Sequence, residues 1–226
     1  MNELLPNIHV SVNEKLYLKN PYSTDLGRRI LQGSIDLIDE LGFENFTFKK
    51  LSQKIGSTEA SVYRYFVSKH QLLAYLISWY WGWMEYRFIF ELNNIPSPEK
   101  RLQKAIHLIT EEIEEDLSIT FINEVKLYHI VIAESSKIYL NKKVDQDNKQ
   151  GYFMPYKKFV QKISDIILEL APTYKYPHML VSTIIEGAHH QRFFAEHLPR
   201  LTDTVDGEDA VTNFYLNIAL EQIQHG

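Results

Sequence analysis

The sequence has no cysteine among its 226 residues. This absence excludes a disulfide framework, a cysteine-ligated zinc or iron–sulfur site, and catalysis by a thiol. Glycine and proline are also scarce, with nine and eight residues. A chain of this length buries roughly 70–75% of its unfolded surface, so we expect it to form a hydrophobic core without cross-links. The length suits one large domain or two modest ones.

Long hydrophobic runs are absent too. No apolar stretch approaches the roughly 18–20 residues that a membrane span requires. The segment 1–15 also lacks the charged part followed by an apolar part that is typical of a secretory signal. We therefore expect a cytoplasmic protein with no membrane partner.

The chain has no overall excess of basic residues, since its formal net charge is −5 and its isoelectric point is about 6.0. The charges are nevertheless distributed unevenly. Residues 1–70 carry nine Lys and Arg against eight Asp and Glu, whereas the remainder carries 15 against 21. Within 45–70 there are five basic residues and one acidic residue, Glu59. This asymmetry indicates that the N-terminal part faces nucleic acid.

The apolar residues recur at helical spacing. Ile30, for example, is followed by Leu37, Ile38 and Leu41, at offsets of 7, 8 and 11. The sequence has no run that strictly alternates apolar and polar residues, so we predict an all-α protein. The predicted helices are 24–41, 47–54, 58–65, 69–93, 98–116, 119–139, 152–170, 177–197 and 206–224. The stretch 140–151 is the best candidate for a mobile connection.

Two short helices around Gly56 have the spacing of a helix-turn-helix. Glycine readily takes the left-handed conformation that ends a helix, and Thr58 supplies an N-cap oxygen for the next helix. Val62 and Phe66 lie four residues apart on the inward face of that second helix. A helix, a turn of about four residues that contains glycine, and a short second helix together indicate a DNA-binding motif.

The same region resembles the TetR family of bacterial transcriptional regulators. The resemblance is carried by the segments 42–47 (GFENFT), 51–58 (LSQKIGST) and 62–66 (VYRYF), and by the Ser68-Lys69 pair. The match covers roughly 24–75, with valine at position 62 where the family pattern has leucine. It implies an N-terminal three-helix helix-turn-helix DNA-binding domain and a C-terminal helical bundle for ligand binding and dimerisation. The corresponding regions are an arm at 1–22, the DNA-binding domain at 23–70 and the effector-binding and dimerisation domain at 71–226.

The second helix of the motif has the small side chains that let a recognition helix approach base edges in the major groove. Ala60 and Ser61 meet this size requirement, and Arg64 is the candidate for a bidentate contact to guanine. Glu59 suits the positive N-terminus of the helix or a cytosine amino group. The complete set of candidate contacts to double-stranded DNA is Thr47, Lys49, Thr58, Glu59, Ala60, Ser61, Tyr63, Arg64, Tyr65 and Lys69.

Hydroxyl and amine groups around such a helix hold phosphates and set its register on the duplex. Thr47, Tyr63, Tyr65 and Lys69 are the candidates for this task, and we expect Tyr65 to point outward from the helix. By the resemblance, Tyr63 and Lys69 occupy the phosphate-contacting positions of the family, and Lys49 lies where the first helix of the motif can reach the groove.

The segment after residue 70 is unusually aromatic. Trp79, Trp83, Tyr86 and Phe90 share one face of the predicted helix, while Trp81 points elsewhere. A surplus of large flat side chains in a helical bundle often leaves a cavity between helices. The resemblance implies a small-molecule effector in such a pocket, and the rings favour an apolar or aromatic one. The residues predicted to line the pocket are Trp83, Tyr86, Phe121, Tyr128 and Glu186.

A Glu-x-x-His pair, Glu186 and His189, lies on one face of a predicted helix. A di-iron carboxylate site needs two such pairs and two further glutamates, and the sequence has no second pair. We therefore predict no metal site and no cofactor. The sequence also lacks a nucleophile motif and a phosphate-binding loop, so we do not expect an enzyme.

The last two long predicted helices, 177–197 and 206–224, have apolar stripes. The resemblance implies that this pair packs against its two-fold mate, although the stripes also fit a core within one chain. We therefore expect a homodimer that binds a palindromic operator as a repressor and is released by its effector. The alternative, favoured by Glu59 and by the overall acidity, is a helical ligand-binding protein whose helix-turn-helix no longer binds DNA.

Overall fold

The computed structural model describes residues 10–114 and 121–225, and all regular secondary structure in these ranges is helical. The all-α prediction is confirmed. The α-helices are α1 (Asp25–Asn45), α2 (Phe48–Lys54), α3 (Glu59–Tyr63), α4 (Lys69–Leu92), α5 (Pro98–Thr110), α6 (Glu124–Glu134), α7 (Ser136–Tyr139), α8 (Val144–Lys149), α9 (Met154–Leu170), α10 (Pro177–His197) and α11 (Ala210–His225). Short 3-10 helices lie at Glu14–Leu16, Pro21–Ser23 and Pro199–Leu201. None of the helices described is long and apolar enough to cross a membrane.

Local sequence determines where many of these helices begin. In α1, α2, α3, α5 and α6, the residue before the helix caps it by accepting a hydrogen bond from the backbone N–H three residues later. Such a cap satisfies one of the N–H groups that a helix start leaves without a partner. The capping residues are Thr24, Thr47, Thr58, Ser97 and Asn123.

Several predicted helices have different bounds in the structure, among them three that follow residue 97. The described part of the predicted helix 119–139 is two helices, α6 and α7, separated by a turn at Ser135. Helix α5 ends at Thr110 rather than at 116, because Glu111 takes an extended conformation; residues 115 and 116 lie outside the described ranges. Helix α11 begins at Ala210 rather than at 206, because the chain turns at Gly207, whose φ is 78°.

The stretch 140–151 contains helix α8, where we expected a mobile connection. Asp147 on this helix is buried, and its Oδ2 lies 3.0 Å from Nε2 of His70 at the start of α4. The helix has six residues, too few to be stable alone. A contact between residues distant in sequence therefore holds a segment that local pattern could not identify.

The chain forms two compact units, of which the first consists of the described residues of Met1–Trp83 and Ile113–Pro155. In this unit α1 packs against α2 and α6. Ile30 of α1 and Phe66 are completely buried. Trp79 and Trp83, on the first part of α4, stack with ring centroids 6.3 Å apart. The helix-turn-helix thus shares a core with α1 and the beginning of α4.

The second unit consists of Met84–Glu112 and the described residues of Tyr156–Gly226. Helix α5 packs against α10 and α11, which also pack against each other. Arg192 of α10 donates hydrogen bonds from Nε and Nη2 to the carbonyl oxygen of Thr110, at 2.9 and 2.6 Å. Its Nη2 also lies 2.7 Å from Oδ2 of Asp209. One arginine therefore joins the end of α5, the middle of α10 and the start of α11.

Candidate nucleic-acid interface

Helix α2, the turn that follows it and helix α3 form the helix-turn-helix. Thr47 Oγ1 accepts a hydrogen bond from the backbone N–H of Lys50, and Thr58 Oγ1 accepts one from that of Ser61, each at 3.2 Å. Between the helices, Gly56 has a φ of 61°. This left-handed conformation costs a residue with a β-carbon about 1–2 kcal/mol. Local sequence thus determines both helix starts and the turn between them.

The inner faces of the two helices are buried. Val62 of α3 has no solvent exposure, and the rings of Phe48 and Tyr63 meet edge to face with centroids 5.0 Å apart. Helix α2 also lies so close to α1 that a β-carbon at Gly33 would stand 2.6 Å from Cγ2 of Ile55. Helix α3 has five residues, and this support replaces the stability that so short a helix lacks on its own.

The outer face of α3 is exposed, and most of its side chains are short. Glu59, Ala60 and Arg64 are exposed, while Ser61 is half-buried. The hydroxyl oxygens of Thr58 and Ser61 lie 2.8 Å apart at the N-terminus of the helix. A helix with such side chains can bring its backbone close to base edges. The predicted contacts that lie together on α3 and its two ends are Thr58, Glu59, Ala60, Ser61, Tyr63 and Arg64.

The cations of the helix pair differ in how they are engaged. Lys50 Nζ donates to the carbonyl oxygen of Asn45 at 2.9 Å, and Lys54 Nζ lies 3.9 Å from Oε2 of Glu40. Lys49 and Arg64 are exposed, and the side chain of neither has a hydrogen bond or ion pair with any residue that the structure describes. These two cations can therefore bind a phosphate or a base without breaking an internal bond.

Tyr65 does not point outward as we expected. Its side chain is 2% exposed, and its hydroxyl oxygen lies 2.7 Å from Oγ1 of Thr24. The prediction extended the second helix to residue 65, whereas α3 ends at Tyr63 and the chain then turns, with the N–H of Tyr65 donating to the carbonyl oxygen of Val62 at 2.9 Å. The turn rotates Tyr65 into the protein, so the predicted outward orientation is wrong.

Lys69, predicted to contact a phosphate, is engaged at the end of α1. Its Nζ lies 2.9, 3.2 and 3.3 Å from the carbonyl oxygens of Phe43, Glu44 and Phe46, and 4.6 Å from the centre of the Phe43 ring. A cation at this place stabilises the negative end of a helix. An ammonium group has three N–H donors, so a phosphate would have to compete with one of these carbonyl groups.

The residues predicted to line an effector pocket are divided between the two compact units. In the first unit, Trp83 and Tyr128 both contact the ring of Tyr80, with centroid distances of 5.9 and 6.4 Å. Phe121, also in the first unit, packs instead edge to face against Tyr22 at 4.7 Å. The surplus of aromatic residues in the sequence predicted that many rings are buried. It did not predict which rings contact each other.

The remaining two predicted pocket residues belong to the second unit. Tyr86 is exposed and stacks on Phe90 with centroids 6.4 Å apart. Glu186 accepts a hydrogen bond from the hydroxyl group of Tyr156 at 3.1 Å. The contact between Tyr86 and Phe90 agrees with their spacing of four residues on one helix. The contact between Glu186 and Tyr156 was not predictable from spacing, because these residues lie on different helices.

The second unit also has a groove that the sequence gave no reason to predict. It has a volume of about 310 Å³ and an apolar floor that includes Phe88, Leu92 and Ile166. Its rim is charged, and there Arg101 Nη2 lies 2.7 Å from Oε1 of Glu169. Two of the rim charges are therefore paired with each other, while the Nζ of a third, Lys162, lies 3.5 Å from Oε1 of Glu85.

His189 is the most strongly perturbed histidine of the described chain. Burial, and then the nearby His190, lower the pKa of its imidazole from 6.5 to about 4. The ring is thus neutral at physiological pH. In the described ranges, no group of three or more His, Asp or Glu side chains is arranged to hold a metal ion.

Comparison with known proteins gives a family match in the region of the helix-turn-helix. Residues 30–76 match the family model described as bacterial regulatory proteins, tetR family. The uncharacterized HTH-type transcriptional regulator YvaF of Bacillus subtilis (strain 168) is 31% identical over 106 residues, which are 46% of this chain and 54% of that protein. The chain spans about half the length of the curated relatives it matches.

Solved structures share the fold over most of the chain. FadR from Bacillus subtilis in complex with stearoyl-CoA has a TM-score of 0.55 and 12% identity, covering 86% of this chain and 97% of that one. AibR in complex with isovaleryl coenzyme A and operator DNA has a TM-score of 0.53 and 16% identity, covering 85% and 96%. At these identities the likeness shows the fold alone. Residues 30–76 therefore match the TetR family of bacterial regulatory proteins, in a chain that shares its fold with these solved structures.

Proposed function

We propose that the protein is a transcriptional regulator that binds double-stranded DNA through α3 as a homodimer. The observation that carries this proposal is the exposed outer face of α3. Its short side chains lie beside two cations, Lys49 and Arg64, whose side chains have no partner among the described residues. AibR, which shares the fold, has been crystallised with operator DNA. That complex supports the proposal.

The proposed contacts divide between bases and phosphates. Ala60 and Ser61 let the helix approach base edges, and Arg64 reads guanine. The hydroxyl groups of Thr47 and Tyr63 bind phosphates, because both side chains are exposed on the helix pair. Lys49 adds a phosphate contact from α2, and Lys69 adds positive charge at the end of α1. Thr58 and Glu59, at the N-terminus of α3, complete the interface, and we leave Tyr65 out of it because it is buried.

We further propose that α10 and α11 form the dimer interface. Met179 on α10 is 65% exposed and Phe214 on α11 is 55% exposed, although large apolar side chains are normally buried. A second copy of this face would cover both. One recognition helix of five residues makes few base contacts, and two-fold symmetry doubles them.

The dimer implies the form of the operator. Two recognition helices related by a two-fold axis read a palindrome whose half-sites lie about 34–36 Å apart, or a multiple of that distance. We propose that the protein binds such a site as a repressor and that an effector changes the separation of the two helices. Coupling of this kind typically changes affinity by about 5- to 150-fold.

We propose a small effector with apolar or aromatic character. The buried rings of Tyr80, Trp83 and Tyr128 in the first unit favour such a ligand. FadR, with the same fold, has been crystallised with stearoyl-CoA, whose acyl chain is apolar. Titration with stearoyl-CoA tests this character, and we expect it to quench the tryptophan fluorescence. The absence of any change would contradict an effector with a long acyl chain.

The central experiment measures DNA binding against salt. The probes are the duplex immediately upstream of the protein's own coding region and a shuffled duplex of the same composition. A protein with six to ten phosphate contacts loses about 10³–10⁵ in affinity between 50 and 200 mM salt. We expect this steep dependence on both probes and tighter binding to the upstream duplex. Absence of salt-dependent binding to either duplex would overturn the proposal.

The alternative function is a ligand-binding helical protein whose helix-turn-helix is inactive. The exposed Glu59 favours it, since a carboxylate at the first turn of α3 repels phosphates. Such a protein would show ligand-dependent fluorescence and no binding to either duplex. A Glu59→Gln variant sharpens the distinction, because removing the repulsion should strengthen binding if the helix already reads DNA.

A further inference from the structure

An N-terminal segment, residues 13–24, crosses the first unit and is bound at both ends; we call it the strap. At its beginning, Asn13 Nδ2 donates to the carbonyl oxygen of Gln150 at 2.8 Å. The carbonyl oxygen of Lys15 accepts from Gln71 Nε2 at 3.0 Å and from the hydroxyl group of Tyr152 at 3.2 Å. The strap is thereby attached to the start of α4 and to the residues after α8.

At its other end the strap contacts Tyr65 at three different groups of that residue. The backbone N–H of Leu18 donates to the carbonyl oxygen of Tyr65 at 2.8 Å. Thr24 Oγ1 lies 2.7 Å from its hydroxyl oxygen, and Lys19 Nζ lies 5.3 Å from the centre of its ring. The main chain, the hydroxyl group and the ring face of Tyr65 are all engaged.

Tyr65 is also the connection to the recognition helix. It is the second residue after α3 ends, and its N–H donates to the carbonyl oxygen of Val62, inside α3, at 2.9 Å. A five-residue helix depends on tertiary contacts for its order and orientation. Anything that fixes Tyr65 therefore fixes the C-terminal end of α3.

The strap itself is firmly packed. Leu16 is completely buried, and Pro21 lies against α1 so closely that a β-carbon at Gly27 would stand 2.2 Å from the carbonyl oxygen of Pro21. Asn13 and Asn20 each cap a 3-10 turn of the strap by accepting a backbone N–H. The segment is thus held along its length as well as at its ends.

We propose that the strap sets the orientation of the recognition helix, and that Tyr65 is the positioning residue through which it acts. In this role Tyr65 contributes to DNA binding without touching DNA. The inference rests on the proposed function for its DNA readout, but the order of α3 in the free protein tests it independently.

The test removes one hydrogen bond of the strap. Leu18→Pro deletes the N–H that binds Tyr65, while the side chain it replaces is 61% exposed. The preceding residue, Tyr17, has φ −150° and ψ 158°, an extended conformation of the kind favoured before proline. Leu18→Ala is the matched control, because it shortens the same exposed side chain and keeps the N–H.

The first readout is amide hydrogen exchange in the free protein. Loss of one hydrogen bond corresponds to about fivefold in an equilibrium constant. We expect amides of α3 and the turn after it to exchange about fivefold faster in Leu18→Pro, with α10 unchanged as the internal reference. Leu18→Ala should exchange as the wild type does. Equal exchange of α3 in Leu18→Pro and wild type would overturn the proposal.

The second readout is binding to the upstream and shuffled duplexes. We expect Leu18→Pro to bind the upstream duplex about fivefold more weakly, with an unchanged salt dependence, because no phosphate contact is lost. An equal loss of affinity in Leu18→Ala would show that the exposed side chain causes the effect, and it would overturn the proposal. If the wild type binds no DNA, the proposed function fails. The exchange data still test whether the strap orders α3.

Tyr65→Phe is the second variant, for use if Leu18→Pro does not fold. It removes the hydroxyl group next to Thr24 and keeps the ring under Lys19. We expect faster exchange of α3 and a weaker preference for the upstream duplex at an unchanged melting temperature of the whole protein. Tyr176→Phe, at an exposed tyrosine of the second unit, is its control. If Tyr65→Phe shows the hydrogen exchange of α3 and the preference for the upstream duplex that the wild type shows, the positioning role of Tyr65 is contradicted.

Discussion

Two helix pairs, α2–α3 and α10–α11, both bury an inner face, but they differ in the side chains that they expose. On α3 the exposed side chains include Ala60 and Arg64, within a segment that holds five basic residues and one acidic residue. On α10 and α11 they include Met179 and Phe214. Burial explains the inner faces of both pairs. The outer faces differ because, in our proposal, one meets a charged polymer and the other meets a second copy of the chain.

The two pairs also differ in how their helices are stabilised. Helices α2 and α3 have seven and five residues, and each is preceded by a threonine whose side chain caps it. Helix α10 has 21 residues and begins at Pro177 without a side-chain cap. A long helix gains enough from packing along its length, whereas a short one depends on its ends. The recognition helix is therefore the more sensitive of the two to single substitutions.

The largest expected effect is at the exposed ring of Phe214 on α11. Phe214→Glu would bury a carboxylate in the proposed dimer interface without a partner, which costs about 4 kcal/mol, or about a thousandfold in the dimer dissociation constant. Sedimentation equilibrium measures this change. Phe90→Glu, the same substitution at a 72% exposed ring on α4, should leave the dimer intact. A stable Phe214→Glu dimer would show that Phe214 is not in the dimer interface, and the proposed difference between the two helix pairs would be lost.

The next largest effect concerns the inner face of α10. His189 has a pKa of about 4 when folded, against 6.5 as the ordinary value, because it is buried and lies near His190. Protonation of this imidazole therefore favours the unfolded state. The contribution of neutral His189 to the free energy of unfolding is fully present above pH 6.5 and is lost as the pH falls towards 4. The loss at pH 4 is about 3 kcal/mol.

Urea unfolding of wild type and His189→Leu across this pH range tests the assignment. Between pH 6.5 and pH 4 the unfolding free energy of the variant should fall by about 3 kcal/mol less than that of the wild type. This difference does not depend on the absolute stability of the variant. Parallel profiles for the two proteins would show that His189 is not the group responsible.

A smaller effect distinguishes the two cations on the polar outer face. Arg64→Ala should weaken binding to the upstream duplex by about 2 kcal/mol and lower the preference over the shuffled one. Lys49→Ala should weaken binding to both duplexes alike and reduce the salt slope by about 0.9. Lys175→Ala, at an exposed cation of the second unit, is the control. Anisotropy titrations that show the same pattern for Arg64→Ala and Lys49→Ala would contradict the division between base and phosphate contacts.

The smallest effect concerns the cap of α3. Thr58→Ala removes the oxygen that accepts the N–H of Ser61, at a cost of about 1 kcal/mol. Thr58→Ser keeps the oxygen and should resemble the wild type. Because the cap acts on a five-residue helix, we expect faster hydrogen exchange in α3 with little change in the melting temperature. A fall in melting temperature without faster exchange in α3 would show that the cap stabilises the whole unit instead.

Much of the fold was predictable because its signals are local. The bounds of α10 agree with the predicted 177–197, and the turn of the helix-turn-helix follows from Gly56 and Thr58. Helix α8 was missed, since it is held by the contact of Asp147 with His70, 77 residues away. No periodicity within the segment reports such a contact.

The candidate site was predictable to a similar extent and for the same reason. The exposed residues of α3 follow from the spacing of two buried residues, Val62 in the helix and Phe66 after it. Tyr65 was misjudged because its partner, Thr24, lies 41 residues earlier in the chain. The engagement of Lys69 with the carbonyl groups at the end of α1 is likewise a tertiary contact that helical spacing does not encode.

The close approach of Pro21 to Gly27 has a consequence for engineering. Because a methyl group at position 27 would meet the carbonyl oxygen of Pro21 at 2.2 Å, the path of the preceding segment limits which residue α1 can carry. A chimera that transplants the DNA-reading module into another protein should therefore start at Val10 and not at Thr24. A graft cut at Thr24 would leave a glycine-lined notch on α1 that nothing fills, together with a recognition helix anchored at only one end.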